Sequence, residues 1–187
     1  MIRTADGTAY ALHGRLDAPM VVLIHGLGLT HEVWDQMVPA LTAQFCVLTY
    51  DMLGHGQTPS KANPDLAALA AQLAALLDHL GRDKAALVGF SLGGMIARRF
   101  AQDYPARTQA LAILHSPHRR TDAAQAAIVA RVVQAQSQGP SSTVEAALQR
   151  WFTDDFRAQN PAMMDKVRGW VLGNNPVTYP DYYRILA

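Results

Sequence analysis

Four short runs, Met20-Val21-Val22-Leu23-Ile24, Cys46-Val47-Leu48-Thr49-Tyr50, Ala85-Ala86-Leu87-Val88 and Ala110 to Leu114, are apolar almost without interruption. A strand with one wet face alternates polar and apolar residues, so runs like these read as strands covered on both faces, as in a parallel sheet. Helical periodicity fills the intervals. Asn63 caps and Pro64 opens a segment in which Leu66, Leu69, Leu73, Leu76, Leu77 and Leu80 recur at helical spacing until Gly81 ends it. Further helices are predicted around Glu32 to Ala43 and from the turn at Gly93 to about Asp103. Strand and helix in alternation imply right-handed crossovers and a mostly parallel sheet with helices on both faces. The amino terminus departs from this rule: Ile2 to Thr4 and Thr8 to Leu12 flank Asp6-Gly7, a pair suited to the positive φ of a tight hairpin.

After Pro117 the texture changes to Ala- and Gln-rich helices, roughly Thr121 to Gln138, Thr143 to Phe152, Pro161 to Leu172 and Asp181 to the end. Ser142 and Glu145 have capping-box spacing, and Gly139-Pro140 breaks the helix before them. The expected division is a sheet-bearing core over residues 1–116 and a helical cap over 117–187. With 187 residues, half of them hydrophobic, the chain suffices for one sizeable core.

A net charge of +1, from 16 Lys and Arg against 15 Asp and Glu, offers no basic face for nucleic acid. A small-molecule partner is expected instead. The single cysteine, Cys46, lies inside an apolar run, which excludes an intrachain disulfide and fits a reducing compartment. No apolar stretch has the length of a signal peptide or a membrane span, so a soluble, cytoplasmic protein with no membrane partner is expected.

The chemistry-bearing motif is Gly89-Phe90-Ser91-Leu92-Gly93, set between a predicted strand and a predicted helix. At such an elbow the serine backbone is strained, Gly89 and Gly93 leave room around it, and the helix N-terminus favours developing negative charge. Gly and Ser also make ordinary flexible turns; the surrounding matches argue for the elbow. His25-Gly26-Leu27-Gly28 ends a predicted central strand, where ligands bind in open α/β sheets. There the Leu27 amide can serve as one oxyanion donor and the Leu92 amide, just after the serine, as the other.

His25-Gly26-Leu27-Gly28, Trp34, the stretch from Tyr50 to Thr58 and the elbow together resemble the α/β-hydrolase superfamily across nearly the whole chain. The stretch Leu148-Gln149-Arg150-Trp151-Phe152-Thr153 with Asp155-Phe156 resembles the cap of 3-oxoadipate enol-lactonases and related carboxylesterases. The resemblance implies that Ser91 is the nucleophile, that Asp51 and His55 hold a structural loop, and that Trp34 packs under the oxyanion loop. His25 is expected to hold that loop by hydrogen bonds, and Phe90 to line the pocket.

In this fold acid and base follow the nucleophile, Asp or Glu first and then His. Only His115 and His118 follow Ser91, and Asp103, the one carboxylate before them, stands at the far end of the elbow helix. The fold is therefore expected to be truncated before its last two strands, which leaves Ala110 to Leu114 as an exposed apolar edge. Such an edge suits a homo-oligomer or a complementing carboxyl-terminal polypeptide. His115 at its strand end reads as a pocket wall or a satisfied core residue, with substitute base as the minor alternative. Arg119 and Arg120 either meet a substrate carboxylate or stand solvated at the cap entrance.

The leading expectation is a serine hydrolase acting on a small carboxylic ester or enol-lactone through an acyl-enzyme on Ser91, with acid and base supplied from a missing carboxyl-terminal segment. No cofactor is expected: metal-ligand spacing and a G-x-G-x-x-G after a strand are both lacking. The alternatives are a non-catalytic truncated fold that binds a small molecule or oligomerises, and a cofactor-free oxygenase, lyase or perhydrolase on the same scaffold.

Overall fold

The computed structural model describes residues 1–187. Six strands, β1 (Ile2–Arg3), β2 (Ala9–His13), β3 (Met20–Ile24), β4 (Cys46–Tyr50), β5 (Ala85–Phe90) and β6 (Thr108–Leu114), form one sheet in the order β1-β2-β4-β3-β5-β6. The two apolar runs at the centre of the sheet, β3 and β4, are buried at every residue. Pairing is parallel from β4 through β6, with Val22 opposite both Leu48 and Leu87, and antiparallel at the β1-β2 hairpin and its junction with β4.

Helices cover both faces. On one, α2 (Leu66–His79) and α3 (Leu92–Asp103) bring Leu69, Leu73, Leu76, Leu77, Ile96 and Phe100 into a core shared with Val22, Ile24 and Leu48. On the other, Trp34 and Val38 close over Val21, Leu23 and Val47. The helix expected from Glu32 to Ala43 is instead a 3-10 turn at His31–Trp34 followed by a short α1 (Val38–Leu41). Pro39 is the reason: it has no amide to donate, and its ring would strike the carbonyl one turn earlier in a continuous helix. The start of α2 also differs from expectation. Pro64 disfavours helical backbone at Asn63, which takes φ 47°, and Asp65 caps the helix by accepting the Ala68 amide at 2.7 Å.

Beyond Pro117 the chain is helical: α4 (Asp122–Gln138), α5 (Ser141–Trp151), α6 (Asp154–Gln159), α7 (Pro161–Leu172) and α8 (Tyr179–Arg184). Periodicity did not reveal α6, whose signal was a Thr153 cap before Asp154 and Asp155 at the positive helix end. The Ser142–Glu145 capping box does not form. The helix starts at Ser141, Ser142 Oγ donates to the Gly139 carbonyl, and Glu145 pairs with Arg168 at 2.6 Å.

These helices lie over the loops at the carboxyl edge of the sheet. Leu148, Met164 and Val167 pack on Leu29, the Asn174 side chain donates to the Gly28 carbonyl at 3.1 Å, and the Tyr182 hydroxyl accepts the Lys61 amide at 3.0 Å. Lys166 reaches Glu32 and Asp35. No helix is long and apolar enough to cross a membrane. At the far edge, β6 is open to solvent along most of its length, with Leu111 42% and Leu114 37% exposed.

Candidate active site

Ser91 occupies the one-residue turn between β5 and α3 with φ 55° and ψ −117°. A non-glycine residue there costs on the order of 1–3 kcal/mol, which the surrounding bonds must offset. The Ser91 amide donates to the Leu114 carbonyl at 2.9 Å, and its carbonyl accepts the amides of Gly94 and Met95. The Ser91 side chain does not cap α3. Close packing explains the flanking glycines: a Cβ on Gly93 would collide with the Ile24 carbonyl and lie 2.5 Å from the His25 carbonyl, and one on Gly89 would lie 2.6 Å from the Gly94 Cα. Because both obstacles at Gly93 are backbone atoms at the end of β3, Gly93→Ala is expected to destabilise by about 3 kcal/mol or more. Urea unfolding checks this, and a midpoint equal to wild type contradicts the tight elbow.

The Gly26–Gly28 loop faces the elbow, with Gly26 held against Phe90 and Ser91. His25, fully buried, anchors the loop. Its Nδ1–H donates to the Gly26 carbonyl at 2.8 Å and its Nε2 accepts the Met52 amide at 3.1 Å, so both ring nitrogens are committed. Burial pulls its pKa down to about 4, against the opposing pull of Asp51. His55, edge-on to His25 with ring centroids 5.4 Å apart, is lowered to about 3 by burial and then by the His25 charge.

Asp51 is buried as well. Burial alone would raise its pKa; the His31 side chain and the amides of Gln57 and His31 outweigh that and hold the carboxyl below its usual value. The loop from Asp51 to Thr58 is thus a closed hydrogen-bond network, completed by Thr58 Oγ1 donating to the Asp51 carbonyl.

Above Ser91 lies a cavity of about 230 Å3 lined by Ser91, Leu27 and residues from the helices over the sheet, including Arg120, Arg131, Arg150, Tyr179 and Tyr183. The Leu27 and Leu92 amides have no partner in the turns and loops, and Leu92 opens α3, where the first amides lack partners inside the helix. Trp34 stands outside the cavity, buried against Val21, Leu23, Val38 and Val47. Phe90, expected in the wall, is absent from it: its ring packs beside Gly26 and against the Leu29 and Trp34 clusters. Gly28 sits against the Tyr179 ring.

His115 is neither a wall nor a buried residue; it follows β6 exposed, with φ 48°. His118 and Arg119 are exposed, and Asp103 is paired with Arg99 at 2.6 Å. No histidine or carboxylate lines the cavity. Sequence reasoning missed Arg131, Arg150, Tyr179 and Tyr183, whose only signal was polar positions within Ala-rich or aromatic helical segments.

A strained serine at a strand-to-helix elbow, facing a glycine-rich loop beneath a layer of helices, defines an α/β protein of the hydrolase type. The family model described as alpha/beta hydrolase fold matches residues 19–181, and the chain belongs to that family. It is 28% identical over 159 residues, 84% of its length, to 3-oxoadipate enol-lactonase 2 of Acinetobacter baylyi, of which it spans 59%. Its fold superposes with a TM-score of 0.89 on the enol-lactonase of Burkholderia xenovorans, at 27% identity over 96% of this chain and 69% of that one. A hydrolase from Pseudomonas aeruginosa superposes at 0.87, with 29% identity over 99% of this chain and 71% of the other.

Proposed function

We propose that this chain carries the nucleophile and oxyanion half of a serine hydrolase that cleaves a small carboxylic ester or enol-lactone. The carrying observation is the Ser91 elbow opening into the cavity beside Leu27. Ser91 Oγ attacks the carbonyl carbon, the Leu27 and Leu92 amides take the oxyanion, and collapse expels the alcohol or enol and leaves an acyl-serine that water hydrolyses. The proton leaving Oγ needs a base. His25 is committed at both nitrogens, and the cavity offers no imidazole or carboxylate, so base and orienting acid come from residues outside this sequence. The greater length of the relatives supports that assignment. The core is assigned to residues 1–116 and the cap to 117–187. The lactone alternative rests on the enol-lactonase likenesses, and an enzyme that turns over plain acyl esters but ignores enol-lactones rejects it.

Intact mass spectrometry before and after a fluorophosphonate tests the nucleophile. In the protein that carries the base and acid together with this chain, addition of one phosphonyl group, lost in Ser91→Ala, is expected; an unchanged mass there, where a reference serine hydrolase is fully labelled, rejects Ser91 as the nucleophile. A second reading draws on the exposed apolar β6: a non-catalytic chain that pairs through this edge with a second copy or a complementing polypeptide. It requires an oligomer or complex in size-exclusion chromatography, and a monomer rejects it.

A further inference from the structure

The helical layer grips the glycine loop at Gly28. Asn174, buried just past the end of α7, donates from Nδ2 to the Gly28 carbonyl at 3.1 Å and to the Trp170 and Val171 carbonyls at 2.9 and 3.0 Å. Val171 and Tyr179 close on the same point: a Cβ on Gly28 would lie 3.3 Å from the Tyr179 hydroxyl and 3.6 Å from Val171 Cγ2. The Asn174 Oδ1 is buried with no partner. A buried amide whose oxygen goes unanswered costs stability, so its place here rests on what its NH2 group holds. Capping the last carbonyls of α7 accounts for two of the three contacts; the third crosses 146 positions of chain to reach the loop.

That third contact acts on the Leu27 amide through rigid peptide planes. Gly26 to Leu29 form a tight turn: the Leu29 amide donates to the Gly26 carbonyl at 3.3 Å, and Gly28 takes the positive φ, 76°, that a type II turn requires of its third residue. The Gly28 carbonyl and the Leu29 amide belong to one planar peptide, so fixing the first aims the second. The Leu29 amide in turn holds the Gly26 carbonyl, which shares its own peptide plane with the Leu27 amide. His25 Nδ1–H holds the same carbonyl at 2.8 Å. Two side chains therefore aim the Leu27 N–H, His25 from the end of the sheet and Asn174 from the helices over it.

We propose that Asn174 is a positioning residue for acyl transfer at Ser91: by holding the Gly28 carbonyl it fixes the turn that aims the Leu27 amide at the oxyanion. This rests on reading Ser91 as the nucleophile and the Leu27 amide as an oxyanion donor. Asn174 itself touches no reacting atom. Its contribution is to keep one donor within the narrow range of distance and angle in which developing negative charge is stabilised, where a shift of about 1 Å can cost on the order of 100-fold in rate. Docking of the helical layer and completion of the oxyanion site are then one event, because a single side chain ends α7 and sets the loop.

The test uses the protein that carries the base and acid together with this chain, in two variants. Asn174→Leu keeps close to the same volume and loses the donor. Asn174→Ser keeps a hydroxyl that bonds the carbonyls three and four residues back, and so caps α7, but its oxygen is one bond nearer the backbone and falls short of Gly28. At a temperature where melting curves show each variant folded, kcat should fall at least about tenfold in both, with KM within about twofold of wild type. With isotopically labelled leucine, the Leu27 and Leu29 amide resonances should move in both variants. Wild-type kcat in Asn174→Ser, a change confined to KM, or Leu27 and Leu29 resonances that stay in place in both variants overturns the proposal and leaves Asn174 as a helix cap. Turnover that survives Ser91→Ala instead rejects the hydrolase reading; the amide resonances of the Asn174 variants then decide the coupling of helix and loop without reference to turnover.

Discussion

Ser91→Ala, in the protein that carries the base and acid together with this chain, is expected to lower kcat/KM for the cleaved ester by at least about 10⁴-fold, because it removes the atom that forms the acyl intermediate and leaves only binding and oxyanion stabilisation. Nothing in the fold should change with it. The Ser91 amide and carbonyl, which tie the elbow to Leu114, Gly94 and Met95, belong to the backbone, and the hydroxyl does not cap α3. Thermal unfolding of the variant should therefore match wild type closely while labelling and turnover disappear. Activity that survives the substitution would show that cleavage proceeds without an acyl-serine, and the elbow would then be a scaffold for a different reaction.

Acid sensitivity is the second large effect, and its sign follows from the buried imidazoles. His25 and His55 ordinarily titrate near 6.5, and burial lowers them to about 4 and about 3 in the folded chain. Above pH 6.5 both states hold these rings neutral. As pH falls from there, the unfolded chain takes up protons that the folded chain refuses, so stability drops until the folded values are reached. At about 1.4 kcal/mol for each unit of depression, the full loss is about 3–4 kcal/mol for His25 and about 5 kcal/mol for His55. Asp51 adds in the same direction at lower pH: its carboxyl is held below the ordinary 3.8, and the stability it contributes is lost as pH falls through that lower value. Urea midpoints measured between about pH 7.5 and about pH 4.5 should fall steeply. His55→Phe, which keeps an aromatic edge against the Tyr182 ring 5.3 Å away, should roughly halve the slope. A flat profile across that window contradicts the buried neutral pair.

Both effects arise in parts of the chain that differ in how far they can be read without coordinates. The elbow is local. Five consecutive residues between an apolar run and a helical pattern suffice to place Ser91 at a turn, because steric crowding there admits glycine at 89 and 93 and little else. The buried strands β3 and β4 are local in the same sense: they match the apolar runs residue for residue, since burial on both faces leaves no reason for polar alternation. The hairpin at Asp6-Gly7 and the helix ends at Gly81 and Gly139 follow from backbone conformations that glycine adopts freely.

Where two local signals compete, sequence patterns mislead. Apolar spacing from Glu32 onward argues for a helix that Pro39 forbids, and Asn63 looks as good a cap as Asp65 until Pro64 turns it away. The Ser142–Glu145 pair has the right spacing for a capping box, yet Glu145 finds Arg168 from α7, 23 positions along the chain, and the longer-range ion pair prevails. Phe90 and His115 were placed by their neighbourhood in sequence; packing sends the first beside Gly26 and leaves the second in solvent.

By itself the sequence determined a mostly parallel α/β sheet, a serine elbow, a glycine loop beside it and a helical region after residue 117, because each is dictated by the periodicity or steric needs of neighbouring residues. Only the tertiary structure decided that His25 commits one nitrogen to the Gly26 carbonyl and the other to the Met52 amide, that Trp34 lies against the sheet, and that Arg120, Arg131 and Arg150 line one cavity with Ser91. Those outcomes depend on which surfaces meet when α4, α5 and α8 settle on the carboxyl edge of the sheet. Guanidiniums 11 and 19 positions apart carry no local mark of sharing a cavity; they are brought together by the burial of apolar faces on the helices that carry them.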